Sequence, residues 1–512
     1  MHNWDLEVAL SYHEGTKHSY ESVYRSHHFL DWSTQPQPFK VYDTLPLLPL
    51  PAVLPVTGVP ALRALLAASA TPTPLSFPTL PALAHLLWAT AGVTKRRTYP
   101  GYGEMCFRAA ACTGALYHID LYLAVDDLPG LGAGLYHFDP QAFALRCLRQ
   151  GDYRAVLSQA SGTHAALQEA PVVLIYTDTF WRNAWKYRAR AYRHGFWDAG
   201  TMLANLGAAA RAQGVAAHLV LGFVDAAVNA LLDLDARREA ALCLVAVGEG
   251  CPVSAAVPAA APLALPAVPS APEEQQYPAI QLVHAASGLE TPEEAEEWRG
   301  ALPESCLPAP TGTVFPLPAT RLEALPAATL EEVIQQRGSA RHFAPHALAL
   351  AQLATVLQAA RQPIGADFLA APEARSNELY LIIHAVETLP AGAYVYHPQL
   401  RALELLAAGD FRQPAGALAL GQDLAADASV AVFCLCDLGM MVERFGNRGY
   451  RAAQLEGGLL GGRLYLAAYA QGLGASGLTF FDDEVIEFFS PHAAGKSVMF
   501  LLALGHAIRP PH

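Results

Sequence analysis

The chain has 512 residues, 53% of them hydrophobic and 15% charged, a balance that excludes a disordered polymer. It is too long for one ordinary core, so two or three domains are expected. Acidic residues exceed basic ones by 46 to 33, a net charge of −13 that leaves no general field for nucleic acid or an anionic membrane. Any anion site must therefore be made by a few placed arginines or by helix N-termini.

In chain order, Met1-His2-Asn3-Trp4-Asp5 has neither the basic start nor the apolar core of an export signal, and a cytoplasmic protein with reduced thiols is expected. His13, His18, His27 and His28 follow neither a helix face nor a ligand spacing, so no metal is expected there. Helical periodicity runs from Leu80 to Ala91. Apolar runs at Ile119 to Val125, Val172 to Tyr176 and Leu242 to Val247 read as strands, with a small-residue helix, Asp198 to Gln213, between the last two. The run Ala255 to Ala271 is broken by Pro258, Pro262, Pro266 and Pro269 and cannot be a membrane helix. With its flanks, Cys251 to Pro278, it reads as a semi-rigid extended linker. Beyond it the series recurs: a helix over Leu348 to Arg361, strands at Leu379 to Ala385, Val430 to Cys436 and Val498 to Leu504, and a small-residue helix, Leu455 to Gln471. Cys434 and Cys436 fall inside one of these strands, which fits buried thiols better than a metal knuckle.

The recurrence is also written in the letters. Gly134-Leu135-Tyr136-His137-Phe138-Asp139-Pro140-Gln141 returns as Gly392-Ala393-Tyr394-Val395-Tyr396-His397-Pro398-Gln399, 258 positions on. Leu121-Tyr122-Leu123 and Leu379-Tyr380-Leu381, Arg190-Ala191-Tyr192-Arg193 and Arg448-Gly449-Tyr450-Arg451, Gly214 and Gly472, and Asp225 and Asp483 share that displacement. One constant offset over so many residues means two copies of one α+β fold. The two small-residue helices can approach closely; they fit equally well as the seam between copies and as a buried helix within each.

The second copy opens Gln336-Arg337-Gly338-Ser339-Ala340-Arg341, and an R-x-S-x-R segment ahead of an amphipathic helix resembles the flavin-phosphate motif that begins nitroreductase domains. Tyr12 to Ser19, Leu30-Asp31-Trp32 and Pro38 to Tyr42 resemble the leader of SagB/ThcOx-type dehydrogenases, the nitroreductase-like enzymes that oxidise azolines to azoles in modified peptides. Arg108 to Tyr117 is similar to that branch's R-x-x-P-S-x-G-A-x-Y segment, and Lys186 to Arg193 to its K-Y-x-x-R-x-Y-R segment. The resemblance implies two nitroreductase-like domains forming an intramolecular pseudo-dimer: a leader over 1–50, domains over 51–250 and 279–512, and the linker 251–278 between them.

It also implies a flavin mononucleotide (FMN) site between the copies. Arg337 would contact phosphate, Gly338 and Ser339 phosphate or ribityl, and Arg341 the pyrimidine edge, where a guanidinium meets the charge left by hydride. Gly477 and Leu478 would line the ring, Arg509 would reach phosphate, and Cys112, Thr113 and Gly114 would close over it from the other copy. Lys186 and Tyr187 would handle protons, as the Lys-Tyr pair does in the resembled enzymes. Cys112 lacks an adjacent base and reads as a small residue in place of serine.

The mirror-image site is degenerate. Residues 68–74, Ala-Ser-Ala-Thr-Pro-Thr-Pro, carry no arginine, Glu373 stands near where phosphate would sit, and Lys186-Tyr187 becomes Arg444-Phe445. That second site, between 68–74 and Glu373 to Asn377, is expected to be empty, with Arg375 as the one cation able to rescue it. The expected substrate is a small molecule or a peptide-derived ring. NAD(P)H-driven reduction of nitroaromatics or quinones, and a flavin-free scaffold, are the alternatives, and further oligomerisation is open.

Overall fold

The computed structural model describes residues 2–26, 28–54, 56–66, 78–101, 103–263, 265, 267–300 and 307–508. Each copy builds one antiparallel sheet. In the first the strand order is Leu48–Pro49, Ala144–Gln150, Gly134–Asp139, Ile119–Val125, Val172–Thr179, Glu239–Val247, Ala217–Val220. In the second it is Thr313–Pro316, Ala402–Ala408, Gly392–His397, Asn377–Ile383, Val430–Cys436, Ser497–Ala507, Phe343–Ala344, with Gly474–Leu478 also paired to Ser497–Ala507. The central strands are buried at every position, which is why they read as unbroken apolar runs rather than as alternation. Cys434 and Cys436 are buried in this way.

Five strand pairs begin 258 residues apart, from Ile119 and Asn377 to Glu239 and Ser497. The repeated glycines end the long helices: Gly214 caps Ala191–Gln213 at φ +69°, and Gly472 follows Arg448–Ala470 at φ +72°. From the start of the Leu80–Ala91 helix to the start of the next strand of the main sheet the first copy carries 12 residues more, since the offset falls from 270 at Leu80/Leu350 to 258 at Ile119/Asn377. The hairpin Val93–Tyr99/Gly103–Arg108 lies in this stretch.

The two long helices are both buried and the seam. They cross where Gly200 meets Leu455 O, a Cβ there falling 2.5 Å from it, and where a Cβ on Gly458 would overlap the Trp197 backbone. Only small residues permit this approach.

A reciprocal ion lock fastens the seam. Arg448 and Arg451 of the second copy each bond Asp225 of the first at 2.6 Å, and Arg190 and Arg193 of the first bond Asp482 of the second at 2.9 and 2.7 Å. The partner of Asp225 is therefore Asp482, not Asp483 as the constant offset predicts; Asp483 is exposed and pairs with Lys17. The helices that precede each copy complete the lock. Arg193 donates to His13 O and Thr16 Oγ1, and Arg451 to His284 O and Ser287 Oγ, so Pro278–Ala286 does for the second copy what Glu7–Gly15 does for the first.

The linker is extended, as its prolines dictate, but it is pinned to the first copy. Val253 N bonds Gln168 O, Leu263 N bonds Asp233 Oδ2, and Val268 N bonds Val41 O. Among the described residues no helix is long and apolar enough to cross a membrane.

Candidate functional site

Arg337 to Arg341 leaves the helix Leu330–Gln336 and runs beside Gly474–Leu478, Ala340 N bonding Ala475 O at 2.9 Å. Tyr465 of the long helix joins the two segments: its hydroxyl lies 3.2 Å from Ser339 Oγ and accepts from Gly477 N. Arg337 is buried and reaches into the first copy, donating to Arg108 O, Ala109 O and Ala110 O at 2.8, 2.7 and 2.9 Å. Its Nη1 has only Gly338 O, at 3.4 Å. Arg341 and Ser339 are exposed, and Arg341 has no hydrogen bond or ion pair among the described residues. Gly338 is half-buried beside Tyr469, and Leu478 is half-buried at the strand end next to Thr479, whose buried Oγ1 has no partner.

Two residues beyond the carbonyls that hold Arg337 lies the turn Cys112-Thr113-Gly114. Gly114 adopts φ +64°, and a Cβ on it would meet the Tyr187 hydroxyl at 2.7 Å, so glycine is needed on both counts. The turn hangs on Asp198 of the long helix. That carboxylate accepts from Thr113 N at 2.9 Å, Thr113 Oγ1 at 2.9 Å and Cys112 Sγ at 3.0 Å, and contacts His118 Nε2 at 2.8 Å. His118 Nδ1 is 2.7 Å from Asp178 Oδ1 on the strand Val172–Thr179. Burial alone would favour a neutral His118, but Asp178 and Asp198 outweigh it and raise its pKa to about 9. Burial and the Asp198 charge push the Cys112 thiol far up, which leaves it a packing residue and hydrogen-bond donor. Cys112, His118 and Asp198 bring donor atoms within 4.8 Å of one another, and these hydrogen bonds account for their closeness.

Lys186 and Tyr187 end the helix Phe180–Tyr187. Tyr187 is held protonated by burial, then by Asp198 and Cys112, and its ring stands perpendicular to His194 at 4.7 Å. Lys186 is exposed, its Nζ 5.3 Å from the Tyr187 ring centroid. The leader spans from one copy to the other beside them. His18 N bonds Asp482 Oδ2 and Tyr20 stacks on Phe481 at 5.0 Å, while Asp31 O accepts from Trp185 Nε1 and Thr34 O from Trp181 Nε1. Tyr20, Phe29 and Trp32 on this span are 61%, 86% and 61% exposed.

The described part of the mirror-image region is built differently. Phe445, in the place of Tyr187, is buried under Trp298, whose ring lies 5.3 Å away and whose Nε1 bonds Phe445 O at 2.8 Å. Arg375 does not rescue a phosphate site: it is 1% exposed, and its guanidinium donates to the carbonyls of Pro372, Ala374 and Gln362 and faces Glu456. Burial then makes its spare charge costly, not available.

Arg337 therefore meets the residues just before the Cys112 turn, Ser339 meets Gly477, and Gly114 meets Tyr187. Arg509, residues 68–74 and His27 lie outside the described residues. His118, Asp178, Asp198 and Tyr465 escape sequence reading. Only Asp198 leaves a signal there, as a lone acid within an Ala/Gly/Leu helix that proves to be buried.

Comparison with known proteins gives the arrangement its relatives. The pattern defining the Nitroreductase family matches twice, over residues 78–249 and 334–506. A protein of Methanocaldococcus jannaschii assigned to the nitroreductases is 26% identical over 170 residues, 33% of this chain and 80% of that one. The microcin B17-processing protein McbC of Escherichia coli is 29% identical over 144 residues, 27% of this chain and 52% of its own length, so the match spans about half of that relative. A crystal structure from Anabaena variabilis, also assigned to the nitroreductases, superposes with a TM-score of 0.78 at 26% identity, covering 98% of this chain and 99% of that one.

Proposed function

The chain belongs to the nitroreductase family as a tandem of two such units, and from that premise we propose that it is an FMN-dependent oxidoreductase with a single flavin site built between its copies. The observation that carries this reading is the asymmetry of the two mirror-image regions among the described residues: one keeps glycines, spare donors and a tyrosine around a turn, and in the other Phe445 is buried under Trp298 and Arg375 is spent on backbone carbonyls. The residues fit the cofactor. Among the described residues Arg341 makes no hydrogen bond or ion pair, Arg337 Nη1 and Thr479 Oγ1 lack good partners, and Gly114, Gly338 and Gly477 let backbone come close. When bound, FMN supplies hydride acceptance, which no side chain here offers.

Gly338, Ser339 and Arg341 would hold the phosphate and the pyrimidine edge, and Arg337, whose Nε and Nη2 are spent on carbonyls of the first copy, would reach the phosphate only through Nη1. Gly477 and Leu478 would line the ring, with Cys112, Thr113 and Gly114 closing from the first copy. The proposed reaction is a SagB/ThcOx-type dehydrogenation of a small or peptide-derived azoline-like ring. The likeness to a microcin-processing protein and the aromatic span beside Tyr187 support it. In that dehydrogenation the ring gives up a proton as its hydride leaves: Tyr187, kept protonated by burial, would donate a hydrogen bond to the ring from Oη, and exposed Lys186, after releasing its own proton to solvent, would accept the proton from the ring.

Absorbance in the near-ultraviolet and blue tests the reading. The purified protein should carry, or take up, one FMN per chain, and Arg341→Ala should lose it. A colourless protein that cannot be reconstituted overturns the proposal. Turnover of an azoline-containing peptide, against NADPH-driven reduction of a nitroaromatic, decides the substrate.

A further inference from the structure

Behind the Cys112–Gly114 turn runs a buried charge chain, Asp178–His118–Asp198, whose members are 1%, 0% and 4% exposed. Asp198 accepts from three donors of Cys112 and Thr113, the Thr113 N–H shared between its two oxygens, and is contacted by His118. A carboxylate so far from water stays ionised only with a counter-charge at hand. Gly195 makes room for that arrangement, because a Cβ there would overlap Asp178 Oδ2.

The other charged and titratable groups facing the ring are few. Arg182, on the helix before Lys186, is bound to Asp120 at 3.1 Å. His194, on the long helix, is kept neutral by its own burial and by Arg190, and Cys112 remains a thiol. The counter-charge for Asp198 is thus His118.

The second copy solves the same problem differently. Ser376, Cys436 and Glu456 stand 258 positions beyond His118, Asp178 and Asp198. Glu456 holds the Ser376 and Asn377 amides, with Arg375 3.9 Å away. An arginine there cannot lose its proton, whereas a histidine can. The titratable version stands only where Tyr187 does.

We propose that His118 is a positioning residue of the first-copy site: its imidazolium pairs with the Asp198 carboxylate, Asp198 fixes the Cys112–Gly114 turn against Tyr187, and deprotonation of His118 lets the turn go. The proposal rests on the reading of the first copy as the working site. The sign follows from the raised pKa. The clamp is complete below the ordinary histidine value and weakens as pH rises through about 9.

The test uses the full chain without added flavin, with histidine ring and backbone amide signals followed by NMR. His118, identified by its loss in His118→Asn, should titrate near the alkaline end, and the Thr113 and Gly114 amides should move with it. Asp178→Asn keeps the ring hydrogen-bonded but removes one carboxylate, and should lower the shared midpoint by about one pH unit or more. FMN added to the same samples should bind about tenfold more weakly above the midpoint than below it. A neutral His118 at pH 7, amides that ignore its titration, or a midpoint unmoved in Asp178→Asn would each overturn the clamp. If FMN binds at no pH while the amides still follow His118, the clamp stands and the flavin reading fails.

Discussion

The two copies share a backbone and a lock but treat the same position in opposite ways. Tyr187 faces Gly114 in a turn hung from a histidine-balanced aspartate, whereas Phe445 lies under Trp298 and the glutamate in the place of that aspartate is faced by an arginine. The R-x-Y-R segment survives in both because it holds Asp482 and Asp225 across the seam, a task each copy must perform. The Lys-Tyr pair survives in one. Residues kept twice are here those that fasten the halves, and residues kept once line the proposed site.

Breaking the lock should have the largest effect. Asp482→Ala leaves two buried arginines unbalanced and should cost about 3–5 kcal/mol in denaturant unfolding, with Asp225→Ala costing about the same if the halves are true mirror images. The two carboxyls are held well below their ordinary range, chiefly against burial by their arginine pairs. The stability they lend is present above the unfolded carboxyl pKa and is lost only as pH falls through the lowered folded values, so unfolding at pH 4 should show little of that loss.

Trp298→Ala should cost about 3 kcal/mol by opening a cavity, yet leave the flavin count at one per chain, because Arg375 is still spent on backbone carbonyls. A second equivalent of FMN would show that Trp298 alone keeps the copies different. Tyr187→Phe makes the first copy resemble the second and should lower turnover about 100-fold with flavin retained. Unchanged turnover would assign the hydrogen bond to another group. Lys186→Arg, the remaining difference, replaces a group that can release its proton by one that cannot, and should lower turnover about tenfold or more with flavin retained, measured by steady-state rates.

The strands and the duplication were legible because apolar runs and a fixed offset are local properties of the chain. The helix Leu80–Ala91 follows its periodicity to the residue, with Thr79 as its cap. Val172 to Tyr176 extends to Thr179, because Thr177, Asp178 and Thr179 are polar and yet buried by partners distant in sequence. The same kind of distance hides the clamp: His118 and Asp198 are 80 residues apart and no spacing rule joins them. Arg337 was found by motif, but its grip on three carbonyls of the other copy depends on the seam and has no trace in the sequence.

The linker runs from the first copy's last strand back along its surface, bonded at Gln168, Asp233 and Val41, before delivering the chain to Pro278. A subunit pair held only by contact falls apart on dilution, whereas here the partner is always present at a high effective concentration. Unfolding midpoints should therefore be independent of protein concentration, and a trace amount of the protein should be as well assembled as an abundant one.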